Sequence, residues 1–125
     1  MSETMKALVV EGVKQFTYKD VPMPVLKDDE VLVRVRACGI CGSDISRVLS
    51  DGAHGYPIIV GHEFSGEVAA IGMGVKNVTV GKRVTAAPLI PCRVCDACEE
   101  GHPAMCMHYS FIGSRQSGAM AEYVA

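Results

Sequence analysis

Residues 91–106, PCRVCDACEEGHPAMC, hold four cysteines, Cys92, Cys95, Cys98 and Cys106, with two, two and seven residues between them. No other feature narrows the possible structures as much. Thiols at that density serve a disulfide staple, an iron–sulfur ligand set, a nucleic-acid-binding zinc knuckle or a structural zinc lobe, and each implies a different protein. A formal net charge of −2 and a pI near 6.0 leave no basic footprint for nucleic acid or for an anionic membrane surface. Neither is an expected partner, and the knuckle is disfavoured. The N-terminal MSETMKALVVEG lacks the basic start, long apolar core and small-residue cleavage site of a secretory signal, and no apolar stretch approaches transmembrane length. The expected location is the cytoplasm, where thiols stay reduced, which favours metal ligation over disulfides.

Spacing separates the two metal readings. The C-x-x-C-x-x-C run matches the first three ligands of a bacterial ferredoxin, but there the last cysteine follows after three residues and precedes proline. Here Cys106 follows after seven and precedes Met107. Four thiolates from one loop close a tetrahedral shell around zinc and leave no open position for substrate. The task of such a site is to fold its own lobe, residues 91–108, with an apparent metal-binding free energy of about 10–16 kcal/mol at neutral pH. His102 and His108 lie in or beside the loop and are expected as solvated surface residues.

Along the rest of the 125 residues the dominant hydrophobic period is two. In EVLVRVRAC, Val31, Val33, Val35 and Ala37 share a face opposite Leu32, Arg34 and Arg36, which predicts a strand. Further strands are predicted at Lys6–Val10, Phe16–Val21, Phe64–Ile71, Lys82–Ala87 and Met120–Val124, with a single short helix at Asp44–Leu49. Glycine and proline divide them at intervals typical of sandwiches and barrels. The chain reads as one mainly β domain.

If the lobe is scaffold, chemistry must lie elsewhere. CGICGSD at 38–44 and GHEFSG at 61–66 hold Cys41, His62 and Glu63: one sulfur, one imidazole and one carboxylate, the ligand mixture of an open catalytic zinc site. The competing reading of His62-Glu63 is a polar turn. Cys38 and Cys41 form a C-x-x-C, but the βαβ setting of a thioredoxin-like redox pair is absent.

At these residues the chain resembles a known family, the zinc-dependent medium-chain dehydrogenases, in their N-terminal GroES-like catalytic domain. RVRACGICGSD, YPIIVGHEFSGEVAAIG, VGKRV, the four-cysteine lobe and GAMAEYV carry the resemblance. One departure is Ala119-Met120, where the family commonly has glycine and an aromatic. The implied fold is mainly β: a GroES-like partly open β-barrel with a short helix and a four-cysteine structural-zinc lobe. The resemblance further implies Cys41, His62 and Glu63 as catalytic-zinc ligands, Glu63 direct or exchangeable, and Cys92, Cys95, Cys98 and Cys106 as the structural-zinc set. It makes Ser43 a proton relay, against a bland reading as helix N-cap. It makes Asp44 the carboxylate that orients the histidine ligand, against a simple first-turn acid. Cys38 has no matching role and is expected as a small buried residue.

The implied activity is NAD(P)-dependent oxidation of a small-molecule alcohol by a homo-oligomeric parent enzyme. DGAHGYPIIVGHEFSG, PLIPCRVCDAC and FIGSRQSG place it nearest the polyol and sugar-alcohol-phosphate branch. His54 and Tyr56 are candidates to line the substrate cleft, with Arg47 and Arg115 as possible phosphate partners. The only glycine pattern, IGMGVKN, has Asn77 where a dinucleotide fingerprint needs a third glycine. The NAD(P) site is therefore expected in a further domain, and the 125-residue chain is expected to be inactive alone, as an excised domain or truncated product. A standalone zinc-binding structural or interaction module is the rival from another class.

Overall fold

The computed structural model describes residues 3–125. β1 (Thr4–Gly12) and β2 (Gln15–Pro22) form an antiparallel hairpin. Alternation along β1 sends Met5, Ala7 and Val9 inward, while Phe16 and Tyr18 of β2 face outward. β3 (Val31–Gly39) runs into α1 (Gly42–Leu49); the two-residue β4 (Ile58–Ile59) then pairs with β1, and β5 (Glu63–Ile71) pairs along the whole of β3. The sheets have the orders β2-β1-β4, β6-β5-β3-β9 and β7-β8, where β6 is Arg83–Thr85, β7 Leu89–Ile90, β8 Ser110–Phe111 and β9 Tyr123–Val124. The cysteine lobe leaves the barrel between β7 and β8 and carries α2 (Asp96–Glu99) and a 3-10 turn, Pro103–Met105.

The final segment joins the two larger sheets. The Leu8 amide donates to the Met120 carbonyl at 2.8 Å, Glu122 to Lys6 at 3.0 Å and Val35 to Glu122 at 2.9 Å, while Val33 pairs with Val124. One segment thus satisfies the edges of both β1 and β3, which closes part of the barrel and protects strand edges that would otherwise be open. Its core includes Val33, Phe64, Ile112, Ala119 and Val124 on one side, and Met5, Ala7, Val9 and Ile59 on the other.

Several expectations are corrected. Val31, Val33 and Val35 face the core, but Ala37 is exposed and Cys38 packs inward. The register of β3 against β5 shifts between Val35 and Ala37, so Arg36 is an extra residue and the alternation reverses beyond it. Cys38 is half-buried rather than buried. The helix starts two residues early, with Cys41 as its N-cap, so Ser43 is not the cap. The strand at Lys82–Ala87 is only Arg83–Thr85, and Met120–Val124 is regular only at Tyr123–Val124. Gly72 and Gly74 of IGMGVKN donate to the carbonyls of Glu30 and Asp28 at 2.9 and 2.8 Å, a turn packed on residues 27–30. Among the described residues no helix is long and apolar enough to cross a membrane.

Candidate metal centres

In the lobe the backbone turns so that amides point at sulfur. Arg93, at φ 65°, takes the left-handed region within Cys92-x-x-Cys95, a conformation that costs a non-glycine residue about 1–2 kcal/mol. The Cys95 amide then reaches Cys92 Sγ at 3.4 Å, and Cys106 Sγ accepts from the amides of Cys92 at 3.2 Å and His108 at 3.4 Å. Donors aimed at sulfur favour the thiolate. The Cys95 thiol is drawn down to about 6, chiefly by the Met107 amide. Cys106 is also lowered, first by the Cys92 amide. Cys98 carries the opposite shift, pushed up to about 12 by burial.

All four sulfurs lie within 4.8 Å of one another, with Cys92 and Cys98 at 4.0 Å and Cys95 and Cys106 at 3.9 Å. A zinc–sulfur bond of about 2.3 Å gives a tetrahedron with edges of about 3.8 Å, so the shell fits a single ion. An iron–sulfur cluster would place several atoms between the thiolates and spread them further. His102 and His108 are exposed and outside this group.

The second group is assembled across the sheet. Cys41 caps α1, and Glu63 opens β5 opposite Gly39; with His62 their ligand atoms lie within 4.8 Å of one another. His62 is 8 % exposed. Its Nδ1 has no hydrogen-bond partner, and Asp44 Oδ1 stands 3.5 Å away, beyond a well-formed bond. The ring's other nitrogen is the one left to offer a ligand. Phe111 meets the imidazole edge-on with centroids 5.4 Å apart.

Asp44 is 2 % exposed. It accepts from the Cys41 amide at 3.1 Å and from Arg47 at 3.2 Å. One carboxylate therefore ties the cysteine backbone, the arginine and the histidine together. His62 and Glu63 also face a hollow of about 570 Å³ shared with Ala37, Gly39, Thr85 and Pro88, so one side of the group is open. A buried imidazole turned with Nδ1 toward Asp44, which leaves Nε2 to a sulfur–nitrogen–oxygen donor set, fits a metal with an accessible position. Cys38 takes no part. Burial raises its thiol pKa, and Sγ is directed to the Gly39 carbonyl at 3.6 Å.

The backbone preceding His62 is held by close approach. Gly61 has φ 102°, and a Cβ there would lie 2.8 Å from both Cys38 Sγ and the Met120 amide nitrogen. Gly113 and Gly118 stack on the same residue, each so near the Gly61 carbonyl that a side chain would overlap it.

The remaining sequence candidates are more dispersed. Ser43 is exposed in the first turn of α1 and lines a small hollow with Arg47, Asp51 and His54. His54 and Tyr56 line another, shared with Tyr109 and Arg115. The structure does not bring either of them into the metal-ligand group. Arg47 is already paired with Asp44, whereas Arg115 stacks on Tyr109.

Comparison with known proteins agrees with this fold. The family profile described as alcohol dehydrogenase GroES-like domain matches residues 27–125. The chain belongs to this family. The GroES-like chain is 42 % identical over 122 residues to galactitol 1-phosphate 5-dehydrogenase of Escherichia coli K12, covering 96 % of this chain and 35 % of that protein. It is 41 % identical to D-arabitol-phosphate dehydrogenase of Enterococcus avium, covering 99 % and 36 %. The crystal structure of galactitol-1-phosphate dehydrogenase from Escherichia coli superposes with a TM-score of 0.91 at 42 % identity, over 96 % of this chain and 35 % of that one. The cobalt- and zinc-bound thermostable alcohol dehydrogenase from Pyrobaculum aerophilum superposes at 0.87 with 30 % identity, over 98 % and 39 %. The chain thus spans about a third of the length of the relatives it matches.

Sequence reasoning missed Phe111, which closes on His62, and the partnership of Arg47 with Asp44 in the GroES-like fold. A lone phenylalanine after the lobe carries no signal of its own; its place follows from the long-range pairing with Leu89. The Asp44–Arg47 pair had a signal in its i,i+3 helical spacing. The Ala119-Met120 departure is a packing matter: Ala119 is 1 % exposed in the core, and Met120 packs beside Ile59 and Val60.

Proposed function

We propose that residues 1–125, including the lobe 91–108, form the catalytic domain of a zinc-dependent dehydrogenase that oxidises a hydroxyl of a polyol or sugar-alcohol phosphate to the ketone. A galactitol-1-phosphate-like compound is the favoured substrate. The observation that carries this reading is the gathering of Cys41, His62 and Glu63 into one group, with His62 and Glu63 lining an open hollow, apart from a closed four-sulfur shell. Zinc held there would supply Lewis acidity toward the substrate hydroxyl, and NAD(P) would accept the hydride. The reading assigns the nicotinamide pocket to the portion of the relatives that this chain does not span. The four-cysteine lobe would hold a structural zinc.

The chain's own residues divide the remaining work. Cys41 and His62 anchor the metal, and Glu63, exposed and laid over Gly39, is free to move on and off it. Asp44 fixes the ring of His62 and raises its basicity as a ligand. Ser43, two residues after Cys41, takes the hydroxyl proton as the C–H hydride leaves and passes it toward solvent through its exposed first turn. Similarity to dehydrogenases of galactitol 1-phosphate and D-arabitol phosphate supports the substrate class.

The test is steady-state NAD(P)H formation by the protein carrying this chain across galactitol 1-phosphate, sorbitol, butanediol, threonine and ethanol. The expected result is a kcat/KM for a polyol or its phosphate far above that for ethanol. Preference for ethanol, or silence toward every polyol, would overturn it.

A further inference from the structure

The turn 111–118 and the loop 54–58 enclose a hollow of about 540 Å³ that neither metal group uses. We infer that this hollow is a phosphate-monoester subsite in which Arg115 receives the anionic end of a phosphorylated polyol; in naming that ligand it rests on the function proposed above.

Charge is the first argument. Arg115 and His54 are the titratable nitrogen groups in the wall, and the wall holds no carboxylate. Arg115 stands 4.4 Å over the Tyr109 ring and donates to its hydroxyl at 3.3 Å, while its amide is tied to the Phe111 carbonyl at 2.9 Å. Among the described residues it makes no ion pair. The guanidinium is held in place, yet its charge is not neutralised. That is the state in which arginine binds phosphate with two parallel N–H bonds.

The hydrogen-bond inventory is the second argument. The Tyr56 oxygen already accepts from the Ala53 amide at 2.9 Å, and the Tyr109 oxygen accepts from Arg115. Gln116 Oε1 accepts from Ser110 at 2.7 Å. Each of these groups has one acceptor position occupied and its donor left over, and Ser114, 6 % exposed, adds a hydroxyl. A donor-rich wall without carboxylates suits a ligand that only accepts.

Arg47, the arginine beside the open metal group, does not compete. Arg47 is paired with buried Asp44, and Asp51 lines its hollow. A surface hollow at Lys82 and Arg83 is also cationic, but it offers no aromatic platform to fix a guanidinium. His54 lines both the Arg115 hollow and the one containing Ser43, the residue given the proton relay in the proposed function.

The experiment is an amide-resolved NMR titration of the zinc-loaded chain with inorganic phosphate, galactitol 1-phosphate and galactitol. Both phosphorylated ligands are expected to shift the amides of residues 54–58 and 114–117, with galactitol leaving them unmoved. Arg115→Gln is expected to weaken phosphate binding by about tenfold or more, the loss of a charged hydrogen-bonding partner, and Arg115→Lys by less. Tighter binding of galactitol 1-phosphate than of inorganic phosphate, with added shifts near Ser43, identifies the substrate's own phosphate. Shifts from inorganic phosphate alone would overturn the polyol-phosphate assignment. Shifts centred on Lys82 and Arg83, or equal affinity in Arg115→Gln, would overturn the subsite itself. A parent enzyme that oxidises galactitol 1-phosphate with an Arg115→Gln KM equal to wild type would remove the subsite and leave the function standing. Phosphate binding here in an enzyme inert to polyols would do the reverse.

Discussion

Replacing Gly61 by alanine probes how tightly the backbone behind His62 is held. The new Cβ would lie 2.8 Å from Cys38 Sγ, 2.8 Å from the Met120 amide nitrogen and 2.9 Å from Met120 Cγ, on a residue with φ 102°. Two costs add. A side chain in that backbone region costs about 1–2 kcal/mol, and forcing a methyl into a filled site costs about 1–3 kcal/mol more. Gly81 separates them, since its φ is 87° but nothing lies within 4 Å of its Cβ position. For 125 residues, an unfolding entropy of about 2.1 cal/mol/K per residue makes each kcal/mol worth roughly 4 °C. The expected drops in Tm are about 4–8 °C for Gly81→Ala and about 8–20 °C for Gly61→Ala. Scanning calorimetry of the zinc-loaded chain reads both. Equal drops would refute the close-packing argument, and a Gly61→Ala chain as stable as wild type would refute the backbone argument too. The displaced Met120 belongs to the segment that closes the barrel, and His62 is the next residue, so this variant should also lose metal at Cys41, His62 and Glu63 before the lobe does.

Cys95→Ser should lower the tightly held zinc below one per chain and reduce Tm more than Cys41→Ser, which should melt nearly as wild type; the opposite order, or a brown solution, would contradict the division of roles. Asp44→Asn should weaken metal at the open group by about 10–100-fold while the lobe keeps its ion, read by chelator competition; unchanged affinity would remove Asp44 from that metal's support. In the folded metal-free lobe, Cys95 is drawn down to about 6 and Cys106 is lowered. A depressed folded-state pKa makes the thiolates stabilising above their ordinary range, with that contribution lost as pH falls through about 6. Zinc uptake at neutral pH should therefore release fewer than four protons from the four cysteines in buffer-dependent calorimetry. Release of all four would show that the N–H···S bonds form only with the metal.

What was legible in the sequence was local. The lobe's cysteines lie within sixteen residues, so their convergence depends on one loop. The alternation in β3 was readable as far as Val35, because a pleated strand repeats every two residues. It failed at Arg36, where the register shift that puts Cys38 inward is set by pairing with β5 and has no signal in RVRAC itself. Cys41, His62 and Glu63 were nameable from motifs, but the unpartnered Nδ1 of His62 and the approach of Asp44 depend on how α1 docks against the start of β5. His54, Tyr56 and Arg115 were each named as substrate or phosphate candidates, but their gathering around one hollow was not legible, for the same reason. Its walls come from two loops separated by the whole of β5, β6 and the lobe.

The two cysteine groups make opposite demands on one small fold. A closed sulfur shell can sit on an outlying loop, because the metal itself supplies the order, whereas an open site needs its ligands fixed before substrate arrives. The open group meets that demand by mounting Cys41 on a helix cap and His62 directly after the Gly61 clamp. The lobe is not independent of it, however. Its neck is the pairing of Leu89 with Phe111 and Ile90 with Ser110, and Phe111 is the ring set edge-on against His62. Zinc held by the lobe, as proposed, would order the neck, and through the neck the Phe111 ring that packs on the imidazole. Binding linkage is reciprocal, so any tightening of the open group by lobe zinc must be matched by an equal tightening of the lobe when the open group is filled. In the function proposed above, the lobe would contribute without a ligand position to offer, by holding Phe111 against His62.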